Sequence, residues 1–398
     1  MSKNTTLKKS IFDNAGARSA FASLISILGG FLVGFIVLVL LALFNENIDF
    51  FDALDGLLKI LAGPFSAGNK DNILFQLGNM LFNSTPLLLT GLSVAIAFKT
   101  GLFNIGAPGQ YLMGAMGTLV VAHSIPTTVV PSFVVWLLAL LTGILFGALW
   151  GAVPGFFKGV LGVNEVIVCI MTNWIAANIV SWVFKDSSFI NVAETKMNFI
   201  KKTSANGVST ATFGLDKLFS GSSQYSRSYM DISIFIAILI AIVIFIILNK
   251  TIFGYELKAC GYNKNASKYA GMNEKRNIIL SMAIAGGLAA CGAALWVLNG
   301  NQDFKWEVYQ SLPSDGFNGI PVALLANSNP IGVIFSSIFL RYINVGGSNL
   351  AAQTDFNEYV SQLIIAIIIY FAGFSRYIQE TIIRIKAGRK KSTRRANK

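Results

Sequence analysis

Phe21 to Phe44 and Ile232 to Leu248 carry no charged residue at all. At about 1.5 Å of rise per residue, each is long enough as a helix to cross a hydrocarbon layer of about 30 Å. Lipid offers a backbone no hydrogen-bond partner, so such a run must satisfy its own N–H and C=O groups, which a helix does segment by segment. The rest of the chain agrees: 54% of its 398 residues are hydrophobic, 13% are charged, and the mean hydropathy is +0.62. An all-α polytopic membrane protein is therefore expected. Phe21 to Phe44 exceeds a signal-peptide core and has no small-residue cleavage site before Asn45, so it is read as a retained span.

Uncharged apolar windows give about ten transmembrane segments: 21–44, 76–98, 107–123, 132–153, 165–184, 232–249, 278–297, 319–327, 330–346 and 359–375. The eighth is too short for an ordinary span. Asn327-Ser-Asn-Pro330 ends it abruptly, so 319–346 is expected to be a broken or re-entrant element. With the N-terminus inside, 21 of the 31 Lys and Arg residues fall on the inner side, and the first outer loop gathers Glu46, Asp49, Asp52, Asp55 and Asp71. The positive-inside rule then makes both termini cytoplasmic. The resulting organisation is a cytoplasmic tail (1–20), a transmembrane domain (21–375) with a long outer loop (185–229), and a basic cytoplasmic tail (376–398). Anionic lipid accounts for the basic tail and the net charge of +12, so no nucleic-acid partner is implied.

Few groups here could do chemistry. Gly101-Leu-Phe-Asn-Ile-Gly106 imitates the start of a phosphate loop, but Ala107-Pro108 stands where Lys-[Ser/Thr] would hold phosphate and Mg²⁺. No hydrolase elbow or zinc-protease motif occurs, and His123 is the sole histidine, so neither a catalytic nor a metal site is expected. Cys169, Cys260 and Cys291 map to spans or to the inner side, where no disulfide is expected. The predicted spans hold only Arg341 and, at a helix start, Glu165 as ionisable groups, too few for an ion-coupled carrier of the usual kind.

Two features remain. Amides cluster at membrane depth: Gln76, Asn79 and Asn83, then Asn104 and Gln110 around the Gly106-Ala-Pro-Gly109 break, then Asn164-Glu165 and Asn173. Such groups either tie helices together or line a polar path for an uncharged, hydroxyl-rich solute. The second feature is a polar island, Gly254 to Met272, between two apolar runs. Asn263 is suited to cap a helix and Gly271 to end one, so Lys264 to Ala270 reads as two turns with Ala266, Tyr269 and Ala270 on one face. Geometry alone leaves two readings open, a peg for another protein's socket or a turn resting on lipid headgroups.

Four segments carry a resemblance. Phe103-Asn-Ile-Gly-Ala-Pro-Gly-Gln110, Gly162-Val-Asn-Glu-Val166 with Met171-Thr-Asn-Trp174, Leu257 to Met272, and Gly316-Phe-Asn-Gly-Ile-Pro-Val-Ala-Leu-Leu325 resemble, in order, segments of the ABC-importer permeases for simple sugars and nucleosides. The second resembles the nucleoside branch in particular. Pro108, Ser267 and Pro321 depart from the family pattern, and Pro108 bears on substrate contacts.

The resemblance implies a multi-pass subunit of a bacterial cytoplasmic membrane that translocates a neutral polar solute, foremost nucleosides, by alternating access. A simple-sugar permease and an ion-coupled secondary carrier are the competing readings. It also implies that this chain binds no cofactor and that a partner ABC ATPase binds ATP and Mg²⁺. A second homologous permease, forming a heterodimer, and an extracytoplasmic substrate-binding lipoprotein complete the expected assembly. Gly261, Asn263, Ala266, Tyr269, Ala270 and Gly271 would face the ATPase as a coupling helix at about 263–271. Asn83, Asn104, Gln110, Asn164, Glu165 and Asn173 would belong to the substrate pathway.

Overall fold

The apolar runs fold as helices, as backbone without other partners requires. The computed structural model describes residues 15–44, 49–191, 198–220, 227–354, 356, 358–375 and 377–385. Among these the helices are α1 (Ala15–Phe44), α2 (Phe50–Ala62), α3 (Lys70–Lys99), α4 (Ala107–Ser124), α5 (Ser132–Leu161), α6 (Glu165–Phe184) and α7 (Leu215–Leu218). They continue with α8 (Ser233–Lys250), α9 (Ile252–Tyr262), α10 (Lys264–Tyr269), α11 (Glu274–Val297), α12 (Ser314–Leu325), α13 (Pro330–Gln353) and α14 (Glu358–Ala372). Among the described residues, strands are confined to β1 (Phe199–Ile200) and β2 (Phe304–Lys305), paired antiparallel. Most of the expected basic tail, and residues 1–14 of the N-terminal one, lie outside the described residues.

Seven of the described helices, in α1, α3, α5, α6, α8, α11 and α13, are long and apolar enough to cross a membrane. The other three predicted segments correspond to α4, α12 and α14, which are shorter or less apolar. Several boundaries differ from expectation. α1 begins at Ala15, α3 at Lys70, and α5 continues to Leu161 through Pro154. Neighbouring helices in a bundle stabilise a turn that lacks one N–H, which is why that proline does not end the element.

α3 and α11 lie innermost, with most of their apolar windows buried. α11 crosses α5 along a ridge of glycines, where backbones touch. A Cβ on Gly151 would sit 2.4 Å from the Met282 carbonyl oxygen, and one on Gly286 would sit 2.2 Å from that of Gly147. The four-residue glycine spacing in α5 is thus a helix-packing device. A second apolar cluster joins α1, α2, α13 and α14 through Phe31, Leu38, Ile60, Ile343, Leu350 and Ile368.

α2 went unpredicted because three charges fall within its 13 residues. A reciprocal capping box starts it: the Asp52 N–H donates to Asp49 Oδ1 at 2.9 Å, and the Asp49 N–H to Asp52 Oδ2 at 2.8 Å. Ala53, Gly56 and Ile60 face the bundle, while Phe51, Leu54, Leu58 and Leu61 lie exposed beside them.

The described residues of the predicted outer loop 185–229 form a cap over one end of the bundle. β1 pairs with β2 so that Phe199 opposes Lys305. The Thr210 N–H donates to Leu298 O at 2.7 Å, and the Tyr229 N–H to Asn79 Oδ1 at 2.9 Å. These bonds tie the loop to the end of α11 and to the first third of α3.

Candidate functional site

The end of α3 begins the first site. Gly101, at φ +73°, closes the helix, with Leu102 N–H bonded to Ala97 O at 2.9 Å and Gly101 N–H to Phe98 O at 3.1 Å. The chain then turns back along α3 rather than starting a new helix at the surface. Asn104 Nδ2 donates to Ser93 Oγ at 3.0 Å and to Gln110 Oε1 at 2.8 Å, and Gln110 Nε2 returns a bond to Asn104 Oδ1 at 3.0 Å. Ser93 stands six residues before the last residue of α3, so this pair lies about 9 Å in from the helix end.

α4 therefore starts within the bundle, and no side chain of its own N-cap residue, Gly106, can satisfy its first turn. Asn173 of α6 does so from outside the helix. Its Oδ1 accepts the Gly109 N–H at 2.9 Å, and its Nδ2 donates to Ile105 O at 3.0 Å. Asn104, Gln110 and Asn173 are all buried. Three of the six predicted pathway residues thus form one knot joining α3, α4 and α6, and each amide in it has partners within the protein.

The other three stand elsewhere. Asn164 caps α6, its Oδ1 accepting the Val166 N–H at 2.9 Å, and Glu165 pairs with Lys158 at 2.7 Å. Asn83 lies midway along α3, where its carbonyl oxygen accepts from Arg341 Nε at 2.9 Å. Arg341 also pairs with Asp315 in the first turn of α12. The sequence exposed Arg341 as a charge within a span but not this partner, because Asp315 precedes the apolar window that marked α12.

α12 is the expected broken element: 12 residues, about 18 Å, too short to span. Its start meets the start of α4, since a Cβ on Gly316 would fall 2.5 Å from Pro108 Cα. Its end is sharp, with Asn327 and Ser328 both at positive φ, and Asn329 capping α13 through the Ile331 N–H at 3.0 Å.

The second site is the peg. Asn263 Oδ1 accepts the Ala266 N–H at 3.1 Å and starts α10. Gly271, at φ +80°, stops it in a Schellman arrangement, with Met272 N–H on Ser267 O at 3.1 Å and Gly271 N–H on Lys268 O at 3.0 Å. The observed helix, Lys264–Tyr269, is one residue shorter than predicted because Ala270 serves as the C-cap. Ser267 is buried, whereas Ala266, Tyr269 and Ala270 point away from the bundle and Tyr269 is 94% exposed.

Gly261 lies at the base of the peg, where a Cβ would approach Lys99 O to 2.3 Å. Across from it, a Cβ on Gly101 would come within 3.1 Å of Gly261 Cα. Two glycines thus let α9 cross the end of α3 at backbone contact. Glu256 of α9 accepts from Arg276 and from Asn277 of α11, each at 3.0 Å. The peg is fastened to α3 and α11, the two innermost helices.

A profile described as "Branched-chain amino acid transport system / permease component" matches residues 76–373. The chain belongs to this permease family. It is similar to the nucleoside ABC transporter permease protein NupB of Lactococcus lactis, 32% identical over 94% of this chain and 96% of that protein. The guanosine ABC transporter permease protein NupP of Bacillus subtilis is also 32% identical, over 79% of this chain and 85% of its own length. A glucose ABC transporter permease of Haloferax volcanii, TsgB13, is 24% identical over 79% of this chain and 80% of that protein. Second permeases of the first two bacteria, NupC and NupQ, match at 24% and 23% over 68% and 69% of this chain, and over 82% and 83% of their own lengths. No solved structure matches significantly. As a permease component, this chain is a multi-pass membrane protein.

Proposed function

We propose that this permease is one of two membrane subunits of an ATP-driven importer of nucleosides, powered by an ABC ATPase that docks on α10. The observation that carries the reading is the peg: two turns, capped at both ends, presenting a bare aromatic and two alanines outward while its base is locked to α3 and α11. A helix resting on headgroups has no need of such stiff attachment to the innermost helices. Asn263, Ala266, Tyr269, Ala270 and Gly271 form the docking element, and Gly261 its hinge-free base. The charge asymmetry of the sequence supports an α10 end that faces the cytoplasm.

Nucleosides follow from the relatives, since the matches at 32% are named for nucleoside or guanosine and the glucose permease stands at 24%. NupC and NupQ, from the same bacteria, supply the pattern for a second, different permease as partner. The partner ATPase binds ATP and Mg²⁺, and an extracytoplasmic lipoprotein delivers solute to the capped end. Drawing two ATPases together would move the pegs, and with them α3 and α11, as rigid bodies so that the cavity alternates its access. The amide knot travels with α3 and keeps α4 and α6 in step. Glu165, salt-bridged to Lys158, and Asn164, capping α6, close the cytoplasmic end of the pathway, while Asn83 on α3 and the buried Asn104, Gln110 and Asn173 belong to it by holding in register the helices that border it.

Uptake of labelled nucleosides by cells lacking and regaining this chain tests the reading, with ribose and riboflavin as competitors. Restoration that unlabelled nucleosides suppress and ribose does not is the expected outcome. Suppression by ribose alone would favour the sugar reading, and uptake without any ATPase subunit would remove the ABC reading.

A further inference from the structure

α6 is the one span of the knot with an open side. Its buried residues, Val168, Cys169, Thr172, Asn173, Ala176, Ala177 and Val180, turn toward α4 and α5. At about 100° per residue, Met171, Trp174, Asn178 and Trp182 share the opposite face, and all four are exposed. Trp174 is the tenth of the twenty residues of α6, halfway along it, and is 56% exposed.

Neither Trp174 nor Asn178 suits hydrocarbon at that depth. Tryptophan gathers at the membrane–water interfaces, where its N–H stays wet, and an amide without partners in lipid is costly. The indoles of Trp136, Trp150 and Trp306 donate to Thr210 Oγ1, Thr172 O and Ser181 O, whereas that of Trp174 finds no acceptor among the described residues. Asn178 Nδ2 turns back to Trp174 O at 2.8 Å. No described residue donates to its Oδ1, so the free end of the amide is an acceptor.

We infer that the Trp174–Asn178–Trp182 column lines the translocation path and receives the nucleobase of the passing solute. This rests on the nucleoside reading above and adds a specific contact to it. A base offers a flat π face and, on its edge, ring and exocyclic N–H donors. An indole stacks on the first, and a carboxamide oxygen accepts from the second. The arrangement is sequence-tolerant stacking with one polar contact, which suits a site that must release its ligand on each cycle. It also explains why α6 is anchored by Asn173 on its reverse side: Asn173 fixes the helix whose other face handles solute.

The test uses the complete importer in its native membrane, with this chain carrying Asn178→Cys, Trp174→Ala or Trp174→Phe. The wild type is assayed first for nucleoside uptake. Charged methanethiosulfonate, which reacts only with water-exposed thiols, is then applied to the Asn178→Cys protein, with and without excess adenosine or guanosine. Expected are labelling, its suppression by nucleoside but not by ribose, a fall of about tenfold in nucleoside uptake for Trp174→Ala, and near-normal uptake for Trp174→Phe. No labelling places the face against lipid or the second permease and overturns the inference, as do labelling that nucleoside leaves unchanged and full uptake by Trp174→Ala. A Trp174→Phe loss equal to that of Trp174→Ala would also count against stacking. Wild-type failure to take up nucleosides would sink the underlying reading, and the site with it; a wild type that succeeds while the variants show no effect sinks the site alone.

Discussion

Single residues decide two local structures here. Asn173 supplies the cap that α4 cannot supply for itself, so Asn173→Leu leaves the Gly109 N–H and the Ile105 carbonyl buried without partners. The expected cost is about 1–3 kcal/mol per stranded group, read as a lowered unfolding temperature of the detergent-purified protein. An unchanged temperature would mean that those groups find other partners. Gly261→Ala forces a methyl against Lys99 O, and the predicted result is a loss of stability of about 1–3 kcal/mol as α9 is pushed off α3, measured by the same melt. The sequence already displayed Asn104, Gln110 and Asn173 as amides at depth, because their polarity stands out in an apolar run. It could not show that Asn173 bonds to the backbone beside the Asn104–Gln110 pair, since 64 residues separate Gly109 from Asn173 and pairing across that distance is a property of the packed bundle. Asn178 went unnoticed for a related reason: its significance is the open face it occupies, and exposure is not written in a helix whose neighbours are unknown.

Elements were legible to the degree that their signals are local. α10 was read from Asn263 and Gly271, and it forms within one residue of the expected end, because capping depends only on adjacent backbone. The break before Pro330 was legible for the same reason, although the helix before it starts at Ser314, five residues ahead of the expected span, where Asp315 pairs with the half-buried Arg341. α2 was missed since an amphipathic helix mixes charge into every apolar window. The peg yields a prediction at this scale. Tyr269→Ala removes an aromatic that touches little of its own chain, so melting temperature and membrane insertion should remain normal while copurification of the ATPase falls at least tenfold. Normal copurification would assign α10 to the lipid surface. Asp315→Asn leaves the half-buried Arg341 without its charge partner, and the predicted loss of about 1–3 kcal/mol is read from the unfolding transition and reduced yield of folded protein.

At the scale of the whole molecule, the bundle is organised so that motion at one end must be shared. The glycine ridge locks α5 to α11, two glycines and an ion-paired elbow lock the peg to α3 and α11, and the amide knot carries α4 and α6 along with them. Composition made the membrane class readable, whereas the coupling of one end to the other depends on which helices touch. Rigid transmission of this kind predicts that a defect in the peg abolishes transport without altering solute contacts. The decisive measurement is nucleoside uptake into proteoliposomes that hold this chain, its partner permease and the ATPase, with loaded binding protein outside and ATP inside, comparing wild type with Gly271→Pro. A proline cannot adopt the φ of +80° that ends α10. Uptake that needs ATP and vanishes in Gly271→Pro is the predicted result; uptake by this chain alone without ATP, or unimpaired uptake by Gly271→Pro, would contradict the account.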